Sequence, residues 1–179
     1  MIVFVSGGAR SGKSQVAEQC VLEAAGKAAC YYIATAKVYD AEMAARVARH
    51  QSGRDARWVT LEAPLAIDHA VAQVPDGHAV LLDCLTLWAS QAMFSAGLSP
   101  PEGLALLERA LQDARSRGLT LVVVSNDLNE ELIPNQPDTW RYVAFIQQLH
   151  CWVAALADSV LEVIAGCALE WKPAREGDQ

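Results

Sequence analysis

The chain has 179 residues, of which 53% are hydrophobic and 20% charged, and its net charge of −7 gives an isoelectric point near 5.0. This length predicts a single domain, residues 1–172, followed by a short tail, residues 173–179. The acidic balance argues against a nucleic-acid partner, and no apolar run is long enough to span a membrane. Without a basic leader segment at its start, the sequence predicts a cytoplasmic protein. The five cysteines form no C-x-x-C pair, so a zinc site is not expected.

The first strong signal is a glycine-rich turn between an apolar run at residues 1–5 and a helical pattern from Ser14 onward. The turn fits the P-loop pattern G-x-x-x-x-G-K-[ST], in which backbone N–H groups cradle phosphates at a helix N-terminus. An ordinary glycine turn with a surface lysine is the alternative, but it does not require this combination of strand, motif and helix. The sequence therefore predicts a nucleoside triphosphate site formed by Gly7, Gly8, Ala9, Arg10, Ser11, Gly12, Lys13 and Ser14.

Further along the chain, apolar runs alternate with helical patterns. Strands are predicted at 28–34, 58–61, 79–82, 119–124, 160–164 and 168–171. Helices are predicted at 40–51, 65–74, 85–97, 100–117 and 139–157, with a long polar loop at 125–138. This alternation predicts an α/β fold of the P-loop NTPase type, with a mostly parallel, RecA-like sheet and helices on both faces.

Two polar residues follow predicted strands and are candidates for the ligand-binding edge of such a sheet. Thr35 ends the second strand, where its hydroxyl would reach a ligand. Asp83 ends the strand at 79–82, the position of a Walker B acid that holds Mg²⁺ together with the P-loop Ser14. The alternative for Asp83 is a helix N-cap or a turn aspartate.

Several segments together resemble one family, the bifunctional adenosylcobinamide kinase/adenosylcobinamide-phosphate guanylyltransferases of cobalamin biosynthesis. The resemblance covers roughly the N-terminal half of the chain, in the family's order and spacing. It is carried by GGARSGKS at 7–14, YIATA at 32–36, DAEMAARVARHQSGRDARW at 40–58, the Thr60-x-Glu62 step and LLDCLTLW at 81–88.

The resemblance implies a two-step reaction. The family phosphorylates the aminopropanol hydroxyl of adenosylcobinamide with ATP or GTP, then transfers GMP from GTP to that phosphate through a guanylylated histidine. His50 occupies the position of this histidine, and a neutral imidazole is a competent nucleophile near neutral pH. Lys13 would stabilise the departing phosphates, and Arg46 and Arg54 flank His50 at four residues on either side. A solvent-facing histidine is the alternative, and it is retained for His69, His78 and His150.

The resemblance also assigns nucleotide contacts and an assembly. An acid at Glu62 would read guanine N1–H and N2–H₂. The family members resemble ring-like homotrimers, so a homo-oligomer is expected. The remaining nucleotide-binding positions are Ala34, Thr35 and Ala36, then Gln51, Ser52, Gly53 and Arg54, with Asp83 as the Walker B acid.

The C-terminal half departs from the family pattern. Residues 126–129 read NDLN where the family has N-E-V-G, and apolar or displaced residues stand in the following helix at Val143-Ala144, Gln147 and His150-Cys151. Two further hypotheses therefore stay open. One is a divergent enzyme that retains a single half-reaction, and the other is a nucleotide-dependent binding module without transfer chemistry.

Overall fold

A seven-stranded sheet forms the centre of the computed structural model, which describes residues 1–36, 54–128 and 136–173. The predicted helix at 40–51 lies outside the described residues, as do His50, Gln51, Ser52 and Gly53. Within the described ranges the strand order is β3-β2-β4-β5-β1-β6-β7. The strands are β1 (Ile2–Gly7), β2 (Cys30–Ala34), β3 (Trp58–Glu62), β4 (Ala79–Asp83), β5 (Thr120–Asn126), β6 (Ser159–Ile164) and β7 (Cys167–Lys172).

Every neighbouring pair in this sheet is parallel except β6–β7, which forms an antiparallel hairpin at one edge. This confirms the predicted mostly parallel sheet. The pairing also brings together strands that are distant in sequence, because β1 lies between β5 and β6. The strand before the P-loop is therefore central and buried, as its apolar sequence predicts.

Five helices connect or follow the strands in the described ranges. Helix α3 was predicted to run from 85 to 97, but its α-helical part ends at Ser90 and a π-helical turn, Gln91–Ser95, follows. Helix α4 begins at a capping box, in which Ser99 and Glu102 satisfy each other's backbone N–H groups. The helices are α1 (Lys13–Ala25), α2 (Ile67–Gln73), α3 (Leu85–Ser90), α4 (Pro100–Ser116) and α5 (Pro137–Leu156).

The helices cover both faces of the sheet, as predicted. Alternate strand residues point to opposite faces, so Phe4 of β1 lies in the core beneath α2 to α5, whereas Val5 lies in the core beneath α1. On the α1 side, Ala17 and Val21 are fully buried against the sheet. No helix within the described residues is long and apolar enough to cross a membrane.

The carboxyl ends of the central strands meet at one edge of the sheet. Gly7 pairs with Asn126 and Ala34 pairs with Asp83. The loop predicted at 125–138 is shorter than expected, because β5 continues to Asn126 and α5 already begins at Pro137. The polar side chains of Ser125 and Asn126 therefore belong to a strand end, at the same edge as the P-loop.

Candidate nucleotide-binding site

The P-loop joins β1 directly to the first turn of α1. Gly12 has a φ of 92°, which suits glycine and few other residues, and it immediately precedes Lys13, the first residue of the helix. Inside the loop, the Ser11 N–H donates to the Gly8 carbonyl at 3.2 Å. The loop is also braced from outside, because the N–H of Gly166 in the β6–β7 turn donates to the Ser11 carbonyl at 2.8 Å. The predicted strand, glycine turn and helix are thus confirmed.

Lys13 lies over this loop rather than in open solvent. Only 8% of the residue is exposed, and its Nζ donates to the Gly8 carbonyl at 3.1 Å. Burial lowers the pKa of Lys13, while the nearby Cys84 and Asp83 act in the opposite direction. The lysine is therefore held over the P-loop, within electrostatic range of Asp83, where phosphate charge would be neutralised in a P-loop site.

Asp83 is the acid at the end of β4, and its carboxylate is oriented by a neighbouring strand. The Tyr32 hydroxyl, from β2, donates to Oδ2 of Asp83 in a short hydrogen bond. Burial and the adjacent carboxylate hold the pKa of Tyr32 well above its usual range, so this phenol stays a proton donor. The peptide bond between Asp83 and Cys84 is cis.

Thr35 takes a different role from the one expected. Its hydroxyl is completely buried and donates to the Asp83 carbonyl at 2.9 Å, while the Cys84 N–H donates to the same hydroxyl oxygen at 2.9 Å. The Gln91 amide, from the π-helical turn, donates to the Thr35 carbonyl at 2.6 Å. Thr35 therefore shapes the chain at the end of β4 instead of presenting its hydroxyl to a ligand.

A second polar group links the ends of β4, β5 and α5. The Cys84 thiol lies 2.7 Å from the Thr86 hydroxyl, and the Asn126 amide lies 3.4 Å from that hydroxyl. The Tyr142 hydroxyl donates to the Thr86 carbonyl at 2.8 Å. Burial raises the pKa of the Cys84 thiol, which favours its neutral form. Sequence reasoning missed this group, apart from placing Cys84 and Thr86 within the LLDCLTLW segment.

Arg54 lies inside the structure rather than on its surface. Its Nε and Nη2 donate to Oε1 of Glu18 on α1 at 2.9 and 2.8 Å, and only 5% of its side chain is exposed. The guanidinium lies over the Tyr32 ring, 3.4 Å from the ring centre, and 5.5 Å from the centre of the Trp58 ring. The Nη1 atom is buried and has no hydrogen-bond partner among the described residues.

The remaining predicted nucleotide contacts in the described ranges lie at the same sheet edge. Glu62, at the end of β3, is opposite Ala34 and is exposed to solvent. The Ala63 N–H donates to the Ala34 carbonyl at 2.9 Å, which extends the contact between these strands by one residue. Ala36 is half-buried just beyond β2. The structure thus brings Glu62, Ala34 and Asp83 to one edge, beside the P-loop strand ends.

His150 differs from the solvent-facing residue that the sequence suggested. Its Nε2 lies 2.7 Å from the hydroxyl of the fully buried Ser125, and its ring packs on Phe4 with ring centres 5.3 Å apart. Burial lowers the pKa of His150, and Asp127 partly opposes this. The pair joins α5 to the end of β5. The sequence did not predict this contact, because His150 and Ser125 are 25 positions apart.

Two side-chain oxygens, at the start of α1 and at the end of β4, are candidates for holding a Mg²⁺ ion. Within the described ranges there is no group of three His, Cys, Asp or Glu side chains that would hold a metal. Magnesium needs no such cage, because it is held by one or two protein oxygens together with phosphates and water. Ser14 in the first turn of α1 and Asp83 at the end of β4 are oxygen donors of that kind. Oδ2 of Asp83 accepts from Tyr32, and no hydrogen bond from the described residues reaches Oδ1.

Solved structures share this fold at low sequence identity. The flagellar accessory protein FlaH from Methanocaldococcus jannaschii aligns with a TM-score of 0.50 and 11% identity, covering 96% of this chain and 78% of that protein. The KaiC-like protein PH0186 from Pyrococcus horikoshii aligns with a TM-score of 0.56 and 12% identity, covering 98% and 79%. These likenesses support the P-loop NTPase fold alone.

Sequence relatives are more specific. The bifunctional adenosylcobalamin biosynthesis protein CobP of Pseudomonas aeruginosa is 36% identical over 172 residues, which is 94% of this chain and 96% of that protein. The bifunctional adenosylcobalamin biosynthesis protein CobU of Salmonella typhimurium is 32% identical over 184 residues, which is 96% of this chain and all of that protein. Residues 3–171 also match the family described as cobinamide kinase / cobinamide phosphate guanyltransferase. The resemblance seen in the N-terminal half therefore extends over nearly the whole chain, which belongs to the cobinamide kinase / cobinamide phosphate guanyltransferase family.

Proposed function

We propose that this enzyme phosphorylates the aminopropanol hydroxyl of adenosylcobinamide and then transfers GMP from GTP to the new phosphate, giving adenosylcobinamide-GDP. The observation that carries the proposal is the P-loop, with Lys13 buried over it and bonded to the Gly8 carbonyl, in a chain that matches the family over residues 3–171. ATP and GTP are its nucleotide substrates, and a corrinoid is the acceptor.

The kinase step depends mainly on positioning and on charge neutralisation. The substrate hydroxyl attacks the γ-phosphorus and loses its proton to solvent. The bond from that phosphorus to the β-phosphate oxygen breaks, and the nucleoside diphosphate leaves. Loop N–H groups and the Lys13 ammonium would receive the phosphate oxygens. A bound Mg²⁺, held by Ser14 and Asp83, would neutralise charge on the β- and γ-phosphates.

The guanylyl transfer adds a covalent intermediate. A ring nitrogen of His50 attacks the α-phosphorus of GTP, forming a P–N bond, and pyrophosphate leaves. A phosphate oxygen of adenosylcobinamide phosphate then attacks the same phosphorus, the P–N bond breaks, and His50 is restored. Glu62 would bind the guanine N1–H and N2–H₂, and residues 51–54 would contact the rest of GTP. Arg54 is already paired with Glu18, so its buried Nη1 is the atom that remains for this role.

The proposed function also predicts where the enzyme acts and how its copies associate. The enzyme would act in the cytoplasm, where its nucleotide substrates are found. It would form a homo-oligomer, and the resemblance to the family implies a trimer. The exposed apolar residues on the β6–β7 hairpin, Ile164, Leu169 and Trp171, support an association between copies. Light scattering of the purified protein would give a mass near three times that of the 19.3 kDa chain.

The decisive experiment is labelling with α-³²P-GTP and Mg²⁺, followed by denaturation. The wild-type protein should retain label that is stable to base and labile to acid, as expected of a phosphoramidate. His50→Ala should lose the label yet keep part of the cobinamide kinase activity, because that step does not need the imidazole. His69→Ala is a matched control, since His69 is exposed on α2 and should keep both activities.

Other results would change the assignment. Label retained in His50→Ala would move the nucleophile to another residue. An unlabelled wild-type protein would favour a kinase alone or a binding module, the two hypotheses that the altered residues 126–129 left open. Equal loss of both activities in His50→Ala would mean that His50 shapes a shared site rather than serving as the nucleophile.

A further inference from the structure

We propose that Tyr32 is a positioning residue for phosphoryl transfer, because its hydroxyl fixes the rotamer of the Asp83 carboxylate. We further propose that Arg54 supports this hydrogen bond by stacking on the Tyr32 ring. The inference rests on the proposed function, since it takes Asp83 as the residue that holds Mg²⁺. It assigns a role to a residue that neither the P-loop nor the Walker B pattern includes.

The register of the sheet explains why Tyr32 reaches Asp83. Tyr32 pairs with Leu81, and Asp83 lies two residues further along β4. Residues two apart on a strand share a face, and both Tyr32 and Leu81 lie in the core beneath α1. The phenol therefore runs diagonally across two strands on the α1 face, a span that an aromatic side chain can bridge. Lys13, the first residue of α1, is close to the same carboxylate.

The two oxygens of the Asp83 carboxylate have different surroundings. Oδ2 accepts from the Tyr32 hydroxyl, and Oδ1 is left without a hydrogen bond from the described residues. A carboxylate held by one oxygen cannot rotate freely, so the direction of its second oxygen is fixed as well. Partners of this kind, which hold a metal ligand without touching the metal, typically change metal affinity or activity about 10- to 100-fold when removed.

The guanidinium of Arg54 stacks on the ring of Tyr32. Its guanidinium lies 3.4 Å from the ring centre of Tyr32 and is fixed by two hydrogen bonds to Glu18. Arg54 is also four residues after His50 in the sequence. A series of contacts thus links Arg54, which follows the proposed nucleophile His50 in the sequence, to Asp83, which is proposed to hold Mg²⁺. The series runs through Glu18, Arg54, Tyr32 and Asp83. If GTP binding moved Arg54, the Tyr32 ring would move with it, and the orientation of the Asp83 carboxylate would change.

The test compares Tyr32→Phe with Tyr31→Phe. The first keeps the buried ring and the Arg54 stack but removes the hydroxyl. The second removes a hydroxyl from the adjacent residue, whose ring contacts His78 and not Asp83, so it is a matched control. Binding of the fluorescent analogue mant-GTP would be measured against Mg²⁺ concentration, so that one readout is independent of turnover. Cobinamide kinase activity would be measured over the same Mg²⁺ range.

Tyr32→Phe should raise the Mg²⁺ concentration at half-saturation about tenfold or more, whereas Tyr31→Phe should leave it unchanged. Saturating Mg²⁺ should restore most of kcat, a rescue that a merely structural defect would not show. Glu18→Gln, which loosens Arg54 without altering β2, should shift the half-saturation in the same direction by a smaller factor. An unchanged Glu18→Gln would overturn the role given to Arg54.

Asp83→Asn separates the failure of this inference from failure of the assignment on which it rests. If Asp83→Asn raises the Mg²⁺ requirement and Tyr32→Phe does not, Asp83 holds the metal but Tyr32 does not position it. If Asp83→Asn leaves the Mg²⁺ requirement unchanged, Asp83 is a structural residue at a strand end and both proposals for it are wrong. Thermal unfolding of each variant checks that it is folded in these assays.

Discussion

Gly7→Ala tests the close contact between the P-loop and strand β6. A Cβ added at Gly7 would lie 2.5 Å from the Val163 carbonyl oxygen and 2.7 Å from Oγ of Ser11. The carbonyl cannot swing aside, because β6 is paired on one side with β1 and on the other with β7. Either β6 or the P-loop must therefore move to accommodate the new methyl group.

The size of the effect follows from this geometry. Overpacking of a well-packed site costs about 1–3 kcal/mol of the free energy of unfolding. For a protein of this length that corresponds to a fall in Tm of about 2–4 °C for each kcal/mol. Displacement of the loop by a fraction of an ångström should also lower kinase turnover, by up to about 100-fold, because the phosphate-binding groups lose their alignment.

Gly8→Ala is the matched control, because a Cβ at Gly8 has no atom within 4 Å among the described residues. Differential scanning fluorimetry and mant-GTP titration of the two variants would measure stability and affinity side by side. We expect Gly7→Ala to be the less stable and the weaker binder. If both variants behave alike, the tight approach of β6 to the P-loop does not exist and the reasoning from it is refuted.

Three further predictions concern charge, pH and packing. Lys13→Ala should lower cobinamide kinase turnover about 10²- to 10³-fold with an unchanged circular dichroism spectrum; near-normal turnover would remove Lys13 from the phosphate site. His150→Asn should flatten the pH dependence of stability in urea unfolding. Because burial lowers the His150 pKa below its ordinary value of 6.5, the wild type is most stable above that value, and it loses stability as the pH falls and the unfolded chain takes up the proton first. An unchanged slope would place this titration elsewhere. Gly103→Ala puts a Cβ 2.6 Å from Cζ of the buried Phe145, so urea unfolding should show a loss of about 1–2 kcal/mol after the gain in helix propensity; a stabilised variant would show that the α4–α5 contact can relax.

The local elements of the fold were predictable because their signals are local. The apolar run at β1, the P-loop glycines and the start of α1 are adjacent in sequence, and the structure confirms them. The same holds for the strand that ends at Asp83 and for the helix predicted at 100–117, which begins at Pro100. Each depends on a few neighbouring residues whose spacing carries the physical requirement.

The contacts that orient the site were not predictable, because they depend on strand register. Tyr32 reaches Asp83 only when β2 and β4 are neighbours with Ala34 opposite Asp83. Arg54 was expected to bind the nucleotide, and its pairing with Glu18 joins residues 36 positions apart. The role of Thr35 changed for a similar reason, since β4 lies close enough to take its hydroxyl. The proposed roles of residues 50–53 stay predictions, because they lie outside the described ranges.

The hydrogen bond from the Gly166 N–H to the Ser11 carbonyl affects how the protein folds during synthesis. During synthesis the ribosome releases β1 first, but the strands that flank it, β5 and β6, come from the last third of the chain. The brace from the β6–β7 turn arrives later still. A nascent chain therefore carries its phosphate-binding motif long before that motif has the surroundings that shape it. Such late pairing of distant segments slows folding. Nucleotide binding by stalled nascent chains should thus appear abruptly once residue 166 has left the exit tunnel.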